Sequence, residues 1–344
     1  MSTPTFTEIP IIDLGLSDGP DRRQLLSDLH HALTDVGFLY ITNHGVPKDF
    51  IAALVDALPT LFSLPATAKA EVALENSPHF LGYSAVGSET TAGRQDTREQ
   101  FEFATELPSI WQPGLPLYER LVGPNQWPAA CPEIEPIVNR YMQEMTALGE
   151  RFLTLVEQAL SLPAQSLHQF LSEQHRLKLV HYPATELGDD GQGVGPHKDS
   201  SGWWTFLLQA SPDVGGLQVL NKAGDWVDVP PKPGTFVVNI GQAFEVITNG
   251  ACPATTHRVL AGTAERYSVP FFQGVRRDLT RKEATTLLRD YFPQRHGGVS
   301  TVDSAFLHGK YDTWGETQLR TKVRSHKTNG KKFYPEVFEQ YHND

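Results

Sequence analysis

Three observations predict a mainly β fold, a sandwich or barrel, with helices packed on it. From Leu177 to Gly274 the chain passes through short β-type runs at 177–182, 203–209, 216–220, 225–229, 235–240, 255–260 and 265–273, punctuated by Gly, Pro, Asn and Asp. Seven or more short strands with turn signals between them mean a sandwich or barrel. Helical periodicity flanks that stretch on both sides. At 344 residues and 40% hydrophobic, the chain can bury a large core, and it has no internal repeat or low-complexity tract. One domain is therefore expected, in four parts: an N-terminal helix and strand region over 1–125 packed on the core, a helical region over 126–175, a β core over 176–275, and a C-terminal helical extension over 276–344.

In chain order, Ile9 to Leu14 reads as a short strand. Leu25, Leu26, Leu29, Leu33 and Val36 fall at helical spacing, and Gly37 ends that helix. Phe38 to Thr42 is rich in β-formers and stops at Asn43, His44 and Gly45. A second amphipathic helix runs from Lys48 to Phe62. Residues 76–98 are polar and read as irregular, whereas Glu99 to Phe103 alternates as a half-buried strand should. The proline-dense segment 108–136 reads as a connector. Helices then follow over Ile137 to Leu160 and Ala164 to Glu173, and after the β stretch over Arg281 to Tyr291 and Pro335 to Tyr341.

The net charge of −11 argues against nucleic acid or an anionic membrane as a partner. The basic stretch Arg320 to Lys332 reads as a solvated loop. Two cysteines, Cys131 and Cys252, cannot make a disulfide framework or a cysteine-based zinc site, and they suit a reducing compartment. The N-terminus lacks a charged-then-apolar leader, and no window reaches the roughly 18 apolar residues of a membrane span. A soluble cytoplasmic protein is expected.

The chemistry gathers at His197-Lys198-Asp199. Two positions apart on a strand, an imidazole and a carboxylate point to one face. A second histidine is available at His257, and two histidines with one carboxylate form the facial triad of non-haem Fe(II) sites, which leaves positions open. A two-residue turn at Gly262 and Thr263 would set Val259 opposite Arg266 and His257 opposite Ser268, so that all of these line one concavity. An arginine there needs an anionic partner, and its fork suits a carboxylate. Ser268 adds a hydroxyl, and Tyr182 adds another from a neighbouring strand.

These residues resemble the 2-oxoglutarate- and Fe(II)-dependent dioxygenases, in the branch that includes isopenicillin N synthase. The likeness covers most of the chain. It is carried by Ile9 to Asp13, Gly37 to Gly45, Gly216 to Val219, Val238 to Gly241, Thr248 to Gly250 and the pair Arg266 and Ser268. The resemblance implies a double-stranded β-helix, a distorted jelly roll, with helices packed on it. It implies Fe(II) on His197, Asp199 and His257, and 2-oxoglutarate held through its far carboxylate by Arg266 and Ser268 with help from Tyr182. It also implies O2 as oxidant and a small or medium organic molecule of specialised metabolism as substrate, oxidised at a C–H bond. Two other readings stay open at this level: an Fe(II) oxidase of the same fold that does not use 2-oxoglutarate, and a metal-free jelly-roll binding protein.

Substrate-cavity candidates are Phe272, which shares a strand face with Arg266 and Ser268, and Phe101, Phe103, Trp203, Trp204 and Phe271, for which ordinary core is the competing reading. His181 alternates with Tyr182 and reads as a satisfied core histidine. His30 and His31 are adjacent on a helix and cannot share a face. His44 reads as a turn residue, and nothing near Cys252 would activate a thiolate.

Overall fold

Two β-sheets face each other across a cavity, and helices cover the outer face of the larger sheet. The computed structural model describes residues 5–343 except 92, 187–190, 201, 293–303, 305, 308 and 309. Residues 293–303 of the expected C-terminal extension therefore lie outside the described residues. The strands are β1 (Ile11–Asp13), β2 (Phe38–Thr42), β3 (Gly82–Ser84), β4 (Thr90–Thr91), β5 (Arg94–Gln95), β6 (Glu99–Ala104) and β7 (Arg176–Tyr182), then β8 (Gln192–His197), β9 (Trp204–Gln209), β10 (Leu217–Leu220), β11 (Trp226–Asp228), β12 (Phe236–Ile240), β13 (His257–Leu260) and β14 (Arg266–Phe272). The helices are α1 (Arg22–His31), α2 (Lys48–Phe62), α3 (Ala66–Glu71), α4 (Ile134–Ala159), α5 (Gln242–Ile247), α6 (Arg281–Thr286), α7 (Trp314–Ser325), α8 (Lys327–Phe333) and α9 (Pro335–His342).

The large sheet runs β1-β2-β12-β9-β14-β7-β6-β3 and the small one β11-β10-β13-β8, with β4 and β5 forming a separate pair. The N-terminal segment does more than pack on the core, because β1, β2, β3 and β6 hydrogen-bond into the large sheet. Period-two alternation assigns its faces. Leu39, Ile41, Phe101, Phe103, Leu177, Leu179, Phe206, Val238, Val269 and Phe271 join the core shared with the helices, including Leu58 of α2 and Phe152 of α4. Their alternating neighbours Phe38, Tyr40, Val180, Tyr182 and Val237 instead meet Val194, Leu217, Val219 and Val259 of the small sheet. The cavity opens between these inner faces.

Three local expectations give way to side-chain and packing effects. The segment after α4 holds only a short 3-10 turn at His168–Phe170 rather than a helix. There the Glu157 carboxylate accepts hydrogen bonds from the backbone N–H groups of Gln165 and Leu167, taking donors that a helix would keep for its own carbonyls. The polar stretch 76–98 is not wholly irregular, since β3 pairs with β6 and β4 with β5. The basic stretch Arg320 to Lys332 is helical rather than a loop. A Thr313–Glu316 capping box starts α7, and Leu319 and Val323 bury its apolar side against Phe338 and Tyr341 of α9. Among the described residues no helix is long and apolar enough to cross a membrane.

Candidate active site

His197 closes β8 and His257 opens β13, and the two are directly paired across the small sheet. Asp199 lies just past the end of β8, so the imidazole and carboxylate do not meet by strand alternation. Its place is fixed by the loop: the Gln242 N–H donates to the Asp199 backbone carbonyl at 2.9 Å. The side chain is then locked through one oxygen, Oδ2, which accepts from Thr205 Oγ1 at 2.5 Å and from Asn239 Nδ2 at 2.7 Å. That leaves Oδ1 facing His197 Nε2 at 3.6 Å and His257 Nε2 at 3.7 Å. These separations are too long for hydrogen bonds and suit three atoms gathered around one ion. Among the described residues this is the one group of three or more His, Cys, Asp or Glu side chains so arranged.

The far side of each ring fixes which nitrogen is free. His197 Nδ1 bonds the Gly195 carbonyl at 2.8 Å and His257 Nδ1 bonds the Thr255 carbonyl at 3.2 Å. A carbonyl can only accept, so each Nδ1 carries the proton and each Nε2 lone pair points inward. Burial and the neighbouring His197 push the pKa of His257 down to about 4, against the pull of Asp199. It is therefore neutral at neutral pH. Burial works to raise the Asp199 pKa, but His197, His257 and Thr205 outweigh it and hold the carboxyl well below its usual range. Two imidazole nitrogens and one carboxylate oxygen are the donor set of a non-haem Fe(II) site.

The N-terminal segment braces this centre. Phe38 of β2 meets the His257 ring edge-on at 5.2 Å. Thr255 Oγ1 donates to the Val36 carbonyl at 2.7 Å. Gly37 between them sits at φ +75, where an added Cβ would come within 2.3 Å of the Pro253 carbonyl oxygen. Only glycine fits that crossing.

Arg266 comes to the same cavity by a route the turn argument misplaced. No hairpin joins β13 and β14: β13 pairs with β10 and β8 in the small sheet, and β14 with β7 and β9 in the large one. His257 and Arg266 share a concavity because the sheets face each other. Arg266 lies opposite Tyr182, and Ser268 opposite Val180 and Gln209. The guanidinium is 3% exposed, sits 4.9 Å from the Tyr182 ring centre, and gives one hydrogen bond to Gln209 Oε1 at 3.2 Å. Its Nε and Nη1 have no partner. No carboxylate reaches it among the described residues, and burial lowers its pKa. A buried, unpaired fork aimed into a cavity fits the far carboxylate of a dicarboxylic acid.

The cavity measures about 370 Å³ and is lined by the triad, Tyr182, Arg266, Ser268, Pro270 and Phe272 among others. Alternation thus runs through Pro270, and Phe272 lies opposite Thr205, which holds Asp199. Phe101, Phe103, Trp203, Trp204 and Phe271 do not line it; all are 0% exposed in the helix-side core. Phe101, Phe103 and Phe271 fall on the odd, outward register of β6 and β14, so Glu102 and Phe272 point inward instead. Trp203 precedes β9 and packs against Phe170 and Phe244. His181 bonds Glu99 at 2.8 Å and stacks on Tyr267.

Sequence reasoning missed Thr205 and Asn239 as supports of Asp199. Each is the one polar residue in the inner part of an otherwise apolar strand, and that was the available signal. It also missed a charged wall made by Glu89, Arg98, Glu102, Lys178, Lys322 and His326, all of which line the cavity. Four of these lie in segments read as irregular or loop.

Residues 9–130 match the family described as the N-terminal region of a non-haem dioxygenase in morphine synthesis, and residues 173–275 match the 2OG-Fe(II) oxygenase superfamily. The chain is 42% identical over 350 residues to the 2-oxoglutarate-dependent dioxygenase frbJ of Dothideomycetidae sp. (strain 11243), covering 97% of this chain and 94% of the relative. It belongs to the 2-oxoglutarate- and Fe(II)-dependent dioxygenases. A 2-oxoglutarate-dependent dioxygenase of Gibberella zeae is 33% identical over 362 residues, covering 97% of this chain and 93% of the relative. Among solved structures, a 2OG-Fe(II) oxygenase family protein from Caulobacter crescentus superposes with a TM-score of 0.72 at 25% identity, covering 93% of this chain and 99% of that one. The dioxygenase fold is the double-stranded β-helix, and the facing sheets of this chain are its two halves. Its cofactors are Fe(II), 2-oxoglutarate and O2.

Proposed function

We propose that His197, Asp199 and His257 hold the iron, that Arg266 and Ser268 with Tyr182 hold the far carboxylate of 2-oxoglutarate, and that the substrate is a small organic molecule of specialised metabolism oxidised at a C–H bond beside Phe272. The observation that carries the reading is the buried Arg266 guanidinium, unpaired at two nitrogens, in one cavity with a pre-aligned His-Asp-His set. A metal-free binding protein has no use for three ligand atoms aimed at one point. In an oxidase that dispenses with 2-oxoglutarate, Arg266 and Ser268 would instead hold the substrate's own carboxylate or another acid, and counting succinate formed per O2 consumed separates the two readings.

When bound, iron and 2-oxoglutarate supply the oxidising chemistry, in which 2-oxoglutarate loses carbon dioxide to become succinate as O2 is consumed and one C–H bond is oxidised. The chain's own residues position and enclose. The Gly195 and Thr255 carbonyls orient the two imidazoles, while Thr205 and Asn239 hold the carboxylate so that one oxygen alone faces inward. Arg266 fixes one end of the co-substrate through a charge-assisted fork. Phe272, Leu207 and Val180 give the cavity apolar walls that exclude water from the reacting bond.

The test is equilibrium dialysis of Fe(II) against wild type, His257→Ala and Asp199→Ala, followed by succinate formation with O2. Wild type should bind one iron per chain, and each variant should lose both iron and turnover while keeping its circular dichroism spectrum. Full activity in Asp199→Ala with unchanged iron would sink the assignment.

A further inference from the structure

The cavity has a second charged end that neither the iron nor 2-oxoglutarate accounts for. On β7, Lys178 shares the inward face with Tyr182, four residues and about 13 Å away at roughly 3.3 Å per residue. One 2-oxoglutarate gripped by Arg266 cannot reach it. Around Lys178 stand Arg98, Arg176 and Lys322 against Glu89, Asp96 and Glu102, four cations to three carboxylates. His326, pushed down to about 4 by burial, adds no charge at neutral pH. The cluster therefore carries one cation in excess, inside a cavity.

The excess resides on Lys178. Arg176 is committed to Glu102 at 2.7 Å and to the carbonyls of Phe80, His79 and Leu121. Arg98 pairs with Glu89 at 2.7 Å, and Lys322 bonds Glu102. Lys178 Nζ lies 3.8 Å from Glu102 and 3.9 Å from Glu89, beyond hydrogen-bond reach of both. Among the described residues its three N–H groups donate to nothing. Beside it, Glu102 Oε2 is buried with no hydrogen-bond partner, in a residue 1% exposed. A purely structural ion-pair network would close these gaps. Here an ammonium and a carboxylate oxygen, both without a hydrogen bond, stand 3.8 Å apart, near enough for the head group of one ligand to meet both.

Resting on the oxygenase reading, we propose that this end recognises the substrate's head group: Lys178 takes a carboxylate and Glu102 takes a neighbouring donor, which makes the substrate a 2-amino or 2-hydroxy acid. The anion neutralises the excess cation, and the amine or hydroxyl satisfies the orphaned oxygen. The rest of the molecule then runs towards Phe272 and the triad.

The experiment is calorimetric titration, without oxygen, of the protein loaded with Fe(II) and 2-oxoglutarate. The titrants are a panel of 2-amino acids and 2-hydroxy acids, each beside its methyl ester. At least one acid should bind tenfold or more tightly than its ester. That preference should vanish in Lys178→Met and return in part in Lys178→Arg. Glu102→Gln should instead shift the choice between amino and hydroxy acids. A panel in which no acid outbinds its ester overturns the proposal, and so does a Lys178→Met protein that keeps the wild-type preference. The wild-type comparison decides even where a variant does not fold. Loss of Fe(II) or 2-oxoglutarate binding by the wild type itself, measured first by dialysis, would sink the oxygenase reading rather than this one.

Discussion

The Arg266 end and the Lys178 end of the cavity both present buried cations, yet they are neutralised in different ways. At the first, a single guanidinium stands over a tyrosine ring with one amide oxygen for company and no carboxylate in reach. At the second, four cations are interleaved with three carboxylates and only the last is left over. An isolated buried charge demands one particular counter-ion and is costly without it. An interleaved network tolerates an empty site and small changes of occupant. On the proposed assignments the contrast separates the two ligands: the invariant co-substrate would meet the lone fork, and the substrate would meet the network.

The wall common to both ends gives the largest expected effect. Phe271 and Phe272 are adjacent on β14 but face opposite sides. Phe271→Ala, in the helix-side core, should cost about 3–5 kcal/mol in chemical denaturation. Phe272→Ala should cost less stability and instead raise succinate formed per product formed, because a loosely held substrate misses the oxidant. Equal stability losses with an unchanged ratio would put Phe272 in the ordinary core.

Arg266→Ala comes next. Losing a charge-assisted buried bond costs on the order of 1.5–3 kcal/mol, about tenfold to a hundredfold in the KM for 2-oxoglutarate. Arg266→Lys should recover only part, since an ammonium lacks the planar fork. Substrate affinity, measured separately, should hardly move; equal damage to both would mean that the two ends are not separate sites.

The smallest effect is on acid stability. Burial works to raise the Glu89 pKa, but Lys178 and Arg98 overcome it and hold the carboxyl at about 2, against 4.5 for the free group. The folded chain thus binds fewer protons than the unfolded one between those values. Glu89 adds stability above about pH 4.5, and that stability is lost as pH falls towards 2. Glu89→Gln should flatten the fall in Tm across that window. Arg266→Ala, at the end without carboxylates, should leave the slope as it is. An unchanged slope in Glu89→Gln would mean that the network is not ionised in this way.

Much of the large-sheet side of the site was legible, because period two is a local property. The even register of Arg266, Ser268 and Phe272 follows from counting along one strand, whereas the exclusion of Phe101 and Phe103 needs the pairing of β6 with β7. That His197, Asp199 and His257 would gather was legible because few residue types offer metal-ligating atoms. Which strands pair was not legible. A turn at Gly262 is compatible with a hairpin or with a crossing between sheets, and only the burial of both sheets' inner faces decides. β8 escaped notice because Gly193, Gly195 and Pro196 are poor strand formers, and its pairing with β13 overrides them. Lys322 and His326 were illegible for a plainer reason: they reach the cavity from α7 and the residue just past it, more than 140 residues beyond Lys178, and no periodicity records such a meeting.

The position of β2 sets a demand on the order in which the chain can be built. Its residues 38–42 leave the ribosome early, soon after β1, which borders one edge in the folded chain. Their other edge belongs to β12 at residues 236–240, nearly two hundred residues later. At about 5–20 residues per second, translation takes roughly ten to forty seconds to supply that partner. Throughout that interval Phe38, Leu39, Tyr40 and Ile41 form an unpaired apolar edge, the kind of surface on which nascent chains stick to one another. Slower growth at low temperature, or a chaperone that shields extended segments, should therefore raise the yield of soluble protein.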